Sequence, residues 1–182
     1  VQHAHLKGII HRDIKPGNIL VTQIDGQPVP KVIDFGVAKA VNQQLTDKTI
    51  YTHLVQVLGT PLYISPEQAE LSGVDVDTRT DVYSLGVLLY KLLSGRMPYA
   101  SGGTNIAALA QAICDIDPDR PSVAVTQDGG EGTSIERIAA ARGASPARLR
   151  KQLYGDLDNI VMAALQKDPA RRYASAKDLS DD

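Results

Sequence analysis

The 182-residue sequence has a single cysteine, Cys114. One thiol excludes an internal disulfide and a multi-cysteine metal centre, and it fits a reducing compartment. Long apolar runs are also missing. The longest, around Val87-Leu88-Leu89-Tyr90, is broken by Lys91, well short of the roughly 20 apolar residues that a membrane-spanning helix needs. No signal-peptide pattern is visible. Neither sign of charge dominates. The 19 basic and 21 acidic residues leave a net charge of −2, which gives no reason to expect nucleic acid or an anionic membrane as the main partner. Phenylalanine occurs once, at Phe35.

What is present is an ordinary globular composition, with 43% hydrophobic and 22% charged residues. A chain of this size buries roughly 70% of its unfolded surface, so one domain with a real core is expected. Residues 1–7 read as the tail of a helix, with Gly8 just past its end. Ile9-Ile10 reads as a brief buried run. Residues 19–22 and 30–33 read as two strands of a hairpin turned at Asp25-Gly26. Residues 41–65 form a long, polar, hydroxyl-rich stretch, and loops of that length in a compact domain are usually functional or mobile. Residues 67–70 read as one helical turn.

Asp77 or Thr78 is the expected cap of the next helix, in which Val82, Leu85, Leu88, Leu89, Leu92 and Leu93 recur at helical spacing. Val87 adds apolar surface on another side, and Gly95 and Pro98 end the helix. Apolar over much of its girth, it is expected to be the central buried helix. Further helices are expected over residues 106–114, 135–142 and 157–165, and starting at Ser145-Pro146 and Ser175. Residues 117–132, rich in Pro, Gly and Asp, read as a surface loop. No internal repeat is found, and the fold class is α+β, mainly α.

The chemistry concentrates in His11-Arg12-Asp13-Ile14-Lys15-Pro16-Gly17-Asn18, followed one hairpin later by Asp34-Phe35-Gly36. A hairpin between them would hold their polar groups near each other on a stiff support. Asp13 is a candidate catalytic carboxylate that orients an attacking hydroxyl and takes its proton. Its plain alternative is a loop aspartate making a turn hydrogen bond. Lys15 adds a cation to face a transferring phosphoryl group, and Asn18 adds an amide oxygen that can hold a divalent metal. In phosphoryl transfer the protein mainly positions groups and offsets charge, and this one loop carries all three.

Asp34 is the candidate second metal ligand, with a strand-end cap as the alternative. Gly36 permits backbone angles closed to other residues. Phe35 is expected to be buried on either reading. Gly129-Gly130-Glu131-Gly132 follows no strand, so it reads as a surface tip and not as a phosphate loop. Arg142, Arg148, Arg150 and Lys151 form a basic patch with little aromatic interleaving, so nucleic-acid binding is not expected.

These two motifs, then Gly59-Thr60-Pro61-Leu62-Tyr63-Ile64-Ser65-Pro66-Glu67 and Asp81-Val82-Tyr83-Ser84-Leu85-Gly86, closely resemble the eukaryotic-type (Hanks-type) protein kinase family. The style is similar to its bacterial serine/threonine members, and matches run from the first residues to about Tyr173. The resemblance implies a protein-kinase-like fold: a helical C-terminal lobe with a small β-hairpin carrying the catalytic loop and the Asp-Phe-Gly motif. It implies ATP and Mg²⁺ as cofactors and the Ser or Thr hydroxyl of a protein as acceptor.

On this resemblance Asp13 matches the catalytic base. Lys15 matches the lysine that marks Ser/Thr specificity and contacts the γ-phosphate, and Asn18 and Asp34 match the two Mg²⁺ ligands. Thr60 matches the threonine that links the substrate-binding segment to the catalytic Asp and Lys. Asp81 matches the buried helix Asp that holds the backbone of the His-Arg-Asp turn, and Glu67 and Arg172 match a structural ion pair. Arg12 and Lys39 match a basic pair that receives a phosphate on the activation loop.

Three departures stand out. Ser65 replaces the family's usual Ala before Pro-Glu. Residues 117–155 are longer than the usual connection and read as a family-atypical insertion. The glycine-rich loop, strand lysine and helix glutamate of the family do not precede Val1. Residues 1–182 are therefore expected to be the C-terminal lobe of a longer protein, without its N-terminal lobe. The alternative is a catalytically inactive truncated lobe that serves as a binding or scaffold module. A cytoplasmic location is expected, with room for a membrane anchor and a kinase dimer in the full-length protein.

Phosphopeptide mapping of active full-length protein should find phosphate on one or more of Thr46, Thr49 and Thr52, and an unmodified loop would count against this. The isolated 182 residues should show little or no kinase activity, an expectation that robust Mg²⁺- and Asp13-dependent phosphorylation of a protein substrate would overturn.

Overall fold

The computed structural model describes residues 1–35, 62–70, 76–99, 106–127 and 134–182. Helix α1 (Gln2–His5) closes at Gly8, which takes a φ of +71°. The next residue, Ile9, is 46% exposed, against the expectation of a buried run. Its backbone serves the helix end, its N–H donating to Ala4 O at 3.0 Å. His11 and Ile14 are the residues that bury this stretch.

Strands β1 (Ile19–Ile24) and β2 (Gln27–Val32) pair antiparallel with Ile19 opposite Val32. Asp25 and Gly26 both take positive φ, +51° and +76°, as a two-residue type I′ turn demands, so Asp-Gly sets the register. Pro28 and Pro30 are accommodated because β2 pairs with β1 alone among the described residues.

Helix α2 (Pro66–Ala69) is a single turn, and α3 (Arg79–Ser94) is the long helix around which the main core forms. Asp77 and not Thr78 supplies the side-chain cap of α3, its Oδ1 accepting the Arg79 N–H at 2.8 Å. Gly95 ends the helix at φ +73°.

The fully buried face of α3 carries Val82, Tyr83, Val87 and Tyr90. The leucine stripe read from sequence is only half-buried at Leu85, Leu88, Leu89 and Leu93, and Leu92 is 62% exposed. Close approach by α8 (Asp156–Ala164) explains the difference. A Cβ added at Gly86 would lie 2.8 Å from the Ala164 Cβ, so a neighbouring helix packs where the small residue is, not where the leucines are.

Tyrosines dominate the aromatic part of this core. Tyr83 Oη–H donates to Tyr99 Oη at 3.1 Å. Lys167 Nζ donates to Tyr99 Oη at 2.7 Å and to Ile113 O, in α4 (Ile106–Asp115), at 2.6 Å. Burial draws the Lys167 pKa down to about 8.

Part of the expected surface loop over residues 117–132 is instead a buried helical turn, α5 (Pro121–Ala124), with Pro121, Ser122 and Ala124 inside. The Asp158 carboxylate of α8 secures it, accepting the Ser122 N–H at 2.9 Å and Oγ–H at 2.6 Å. That partner lies 36 residues away, so local composition could not reveal it. Residues 129–132 lie outside the described residues.

Helices α6 (Ile135–Ala140) and α7 (Pro146–Leu153) close a second, smaller core of Val125, Ile138, Ala139, Leu149 and Leu153. Ser145 caps α7, its Oγ accepting the Arg148 N–H at 3.3 Å. Ser175 caps α9 (Ala176–Asp181) in the same way through Asp178. No helix among the described residues is long and apolar enough to cross a membrane.

One buried ion pair ties α2 to the C-terminal part of the chain. Arg172 Nη1 and Nη2 meet Glu67 Oε1 and Oε2, each at 2.7 Å. The other three guanidinium protons go to the carbonyls of Gln166, Arg79 and Lys167, so all five Arg172 donors are used. Thr80 Oγ1 adds a 2.6 Å bond to Glu67 Oε1.

Burial alone would raise the Glu67 pKa. The hydrogen bonds from Arg172 and Thr80, with the Arg172 charge, outweigh it and hold the carboxyl below the usual glutamate range. A depressed folded-state pKa contributes stability that is complete above the unfolded value of about 4.3 and is lost as pH falls through the folded value.

Urea unfolding should show Arg172→Met destabilised by about 3–5 kcal/mol at neutral pH, because Glu67 is left buried without its partner. The stability gap between wild type and Glu67→Gln should be constant above about pH 4.3 and should narrow below it. A gap that widened on acidification would contradict the assignment.

Candidate active site

The loop between α1 and β1 is held from below by one carboxylate. Asp81, fully buried in the first turn of α3, accepts the His11 N–H on Oδ2 and the Arg12 N–H on Oδ1, both at 2.8 Å. His5 Nε2 lies 2.7 Å from the same Oδ2. Arg12 takes a φ of +65°, a left-handed conformation that costs about 1–2 kcal/mol for a residue with a Cβ. Charge-assisted bonds to the flanking peptide groups offset that cost.

His11 joins the loop to the hairpin. Its Nδ1 accepts the Asp13 N–H at 3.2 Å, so Nε2 carries the proton and donates it to Ile33 O at 2.9 Å. The Ile33 N–H donates to Asn18 O at 2.9 Å. The start of β1 and the residue after β2 are thereby locked together, and Asp34 follows directly at φ +56°. Phe35, expected to be buried, is half-buried, with its ring 4.6 Å from the His11 ring and tilted by 44°. Its described aromatic contact is with that histidine, and it is not among the buried residues of the main core.

Asp13, Lys15 and Asn18 converge on one point. Lys15 Nζ lies 3.0 Å from Asp13 Oδ2. Asn18 Nδ2 donates to Asp13 O at 2.7 Å and to Asp13 Oδ2 at 3.0 Å. A short 3₁₀ turn over Pro16–Asn18 creates this closeness by folding Asn18 back towards Asp13. With its NH₂ committed to Asp13, the Asn18 amide has its oxygen turned the other way.

That oxygen and the exposed carboxylate of Asp34, the residue after Ile33, are both hard oxygen donors. Such a set fits a magnesium ion, which takes few protein ligands and keeps the rest of its shell for water and phosphate. Gly36, Lys39, Thr46, Thr49, Thr52 and Thr60 lie outside the described residues.

Two supports were not singled out in the sequence. His5 sits 76 residues from Asp81, and nothing local marks it. Gln68 had a local signal: Ser65-x-x-Gln68 is a capping box at the start of α2. The Gln68 Nε2 also donates to Arg12 O at 3.0 Å, so α2 braces the loop from a second side.

A protein kinase domain profile matches residues 1–181. The serine/threonine-protein kinase PknB of Mycobacterium leprae is 37% identical over 179 residues, which is 98% of this chain and 23% of that protein. A probable serine/threonine-protein kinase of Clostridium perfringens is 34% identical, over 98% of this chain and 21% of its own length. Pkn1 of Myxococcus xanthus is 34% identical, over 96% of this chain and 21% of its own. The chain therefore spans less than a quarter of the length of these curated relatives. With a family profile running over nearly every residue and the Asp13–Lys15–Asn18 cluster seated on Asp81, this chain belongs to the protein kinase family, beside bacterial serine/threonine kinases.

Proposed function

We propose that this chain carries the catalytic loop of a kinase that transfers the γ-phosphoryl group of ATP to Ser or Thr hydroxyls of protein substrates. The observation that supports this most is the convergence of Lys15 Nζ and Asn18 Nδ2 on the Asp13 carboxylate within about 3 Å. Asp13 accepts a hydrogen bond from the incoming hydroxyl, orients it, and takes its proton as the new O–P bond forms. Lys15 offsets negative charge on the phosphoryl oxygens in flight. Asn18 has two tasks: its NH₂ fixes the Asp13 side chain, and its oxygen, with Asp34, would hold magnesium. Bound magnesium and ATP would supply the charge neutralisation and the phosphoryl group.

The division of labour follows from the supports. Asp81 and His11 act through the backbone of residues 11–13 and are positioning residues. Arg12, next to Asp13, is proposed with Lys39 as the receiver of an activation-loop phosphate. Thr60 is proposed as the link from the substrate segment to Asp13 and Lys15. A cytoplasmic setting, where ATP is available, suits the proposed reaction.

In the full-length protein Asp13→Asn should lower kcat by about 10²–10⁴ with little change in the KM for ATP, because it removes a group needed in the transition state. Asp81→Asn should act differently. Its amide keeps one acceptor and turns an N–H₂ towards a backbone N–H, which costs about 1–3 kcal/mol of stability. It should also lower kcat by about 10²-fold through misplacement of Asp13. Steady-state assays on a Ser/Thr peptide, paired with thermal unfolding, separate the two. Full activity in Asp13→Asn would remove the proposed base.

A further inference from the structure

The second small core leaves one face of α7 with no task in the chemistry above. Leu149 and Leu153 form the buried seam of this helix. At 3.6 residues per turn Lys151 lies opposite that seam, flanked by Arg148 on one side and Tyr154 on the other. Arg148, Arg150 and Lys151 are exposed, and Tyr154 is 75% exposed. None of the three cationic side chains has an ion pair or hydrogen bond among the described residues.

No carboxylate stands three or four positions from any of them, so the helix offers no neutralising partner of its own. Arg148 and Lys151 are instead a like-charged pair at i, i+3, which is repulsive. Arg150 and Lys151 sit in the last turn, where the helix dipole favours cations. Arg148 does not share that benefit. It lies in the first turn, at the positive end, where a cation is unfavourable.

The charge is also segregated. Residues 134–155 hold five Arg or Lys against Glu136 alone, while the other 14 basic residues of the chain are outnumbered by 20 acidic ones. Local folding therefore gains little from this arrangement, and part of it works against the helix. The platform beneath it is rigid, since Leu149 and Leu153 are locked into the small core and Ser145 caps the helix.

We propose that the outer face of α7, built from Arg148, Lys151, Arg150 and Tyr154, is a docking surface for an acidic polypeptide segment. Arg and Tyr are the side chains that interfaces favour, and carboxylates would supply the counter-charge that the helix lacks. A peptide suits the surface better than a nucleic acid. The helix is only about 12 Å long, its single aromatic stands at one end and does not alternate with the cations, and the chain as a whole is acidic.

Fluorescence anisotropy with full-length protein and a labelled oligo-glutamate peptide, at near-physiological salt, tests this. Saturable, salt-sensitive binding is expected, weakened about tenfold or more by Arg148→Glu with Lys151→Glu. Lys7→Glu with Lys31→Glu, two exposed lysines elsewhere, should leave it unchanged. If the charge reversal lowers the melting temperature, Arg148→Gln with Lys151→Gln decides: weakened binding supports the surface and unchanged binding overturns it. The proposal also falls if the peptide binds no better than a neutral Ser-Gly peptide. It falls equally if duplex RNA or phosphatidylserine vesicles bind more tightly than the peptide through the same two residues.

Discussion

The buried Asp81 carboxylate is the point on which the site depends. It stands in the first turn of the long helix, and it receives two backbone N–H groups from the loop and one imidazole from α1. A carboxylate is suited to this because it accepts only, with two oxygens and several lone pairs. It can hold the adjacent His11 and Arg12 peptide N–H groups at once, one on each oxygen. The core around α3 thereby sets the position of a loop whose own regular structure is limited to the 3₁₀ turn over Pro16–Asn18. Asp13 inherits its place from that anchor.

The hairpin and α2 complete the frame. His11 bonds across to Ile33, and Ile33 bonds to Asn18, so the two ends of the hairpin cannot drift apart without breaking the loop. Gln68 reaches the Arg12 carbonyl from the side. Its helix is pinned by Glu67, which shares a bidentate contact with Arg172 from the far end of the chain. Every Arg172 donor is satisfied and its guanidinium lies 4.9 Å over the Tyr83 ring, so the charge is buried without an orphaned proton. A buried pair of this kind adds little net stability over apolar packing, but it tolerates no loss of either partner. Its value here is geometric, because it fixes where α2 stands relative to the loop.

Much of the frame was legible in the sequence where local chemistry decides. Asp25-Gly26 dictated the hairpin turn, Ser145-Pro146 and Ser175 marked helix starts, and Gly95 marked the end of α3. Asp13, Lys15 and Asn18 stood out by type and spacing, and the structure places Lys15 Nζ and Asn18 Nδ2 each 3.0 Å from Asp13 Oδ2. Less legible were features set by partners far along the chain. The leucines of α3 looked like its buried face, yet Gly86 determines which side meets another helix. The stretch after residue 117 looked like a solvated loop, yet Asp158 buries part of it. His5 carried no signal at all.

The sequence by itself therefore determined the chemistry on offer, the turns and caps, and membership in the protein kinase family. These depend on side chains a few positions apart, whose mutual reach is bounded by backbone geometry. Only the tertiary structure decided which face of α3 is inside, that the segment near Ser122 is core, and that Asp81 gathers His5, His11 and Arg12 onto one carboxylate. Those outcomes depend on close packing and on satisfying every buried polar group, and both are properties of the whole assembled chain. Asp13, Lys15 and Asn18 lie on a loop whose backbone is held by a residue tens of positions away, Asp81.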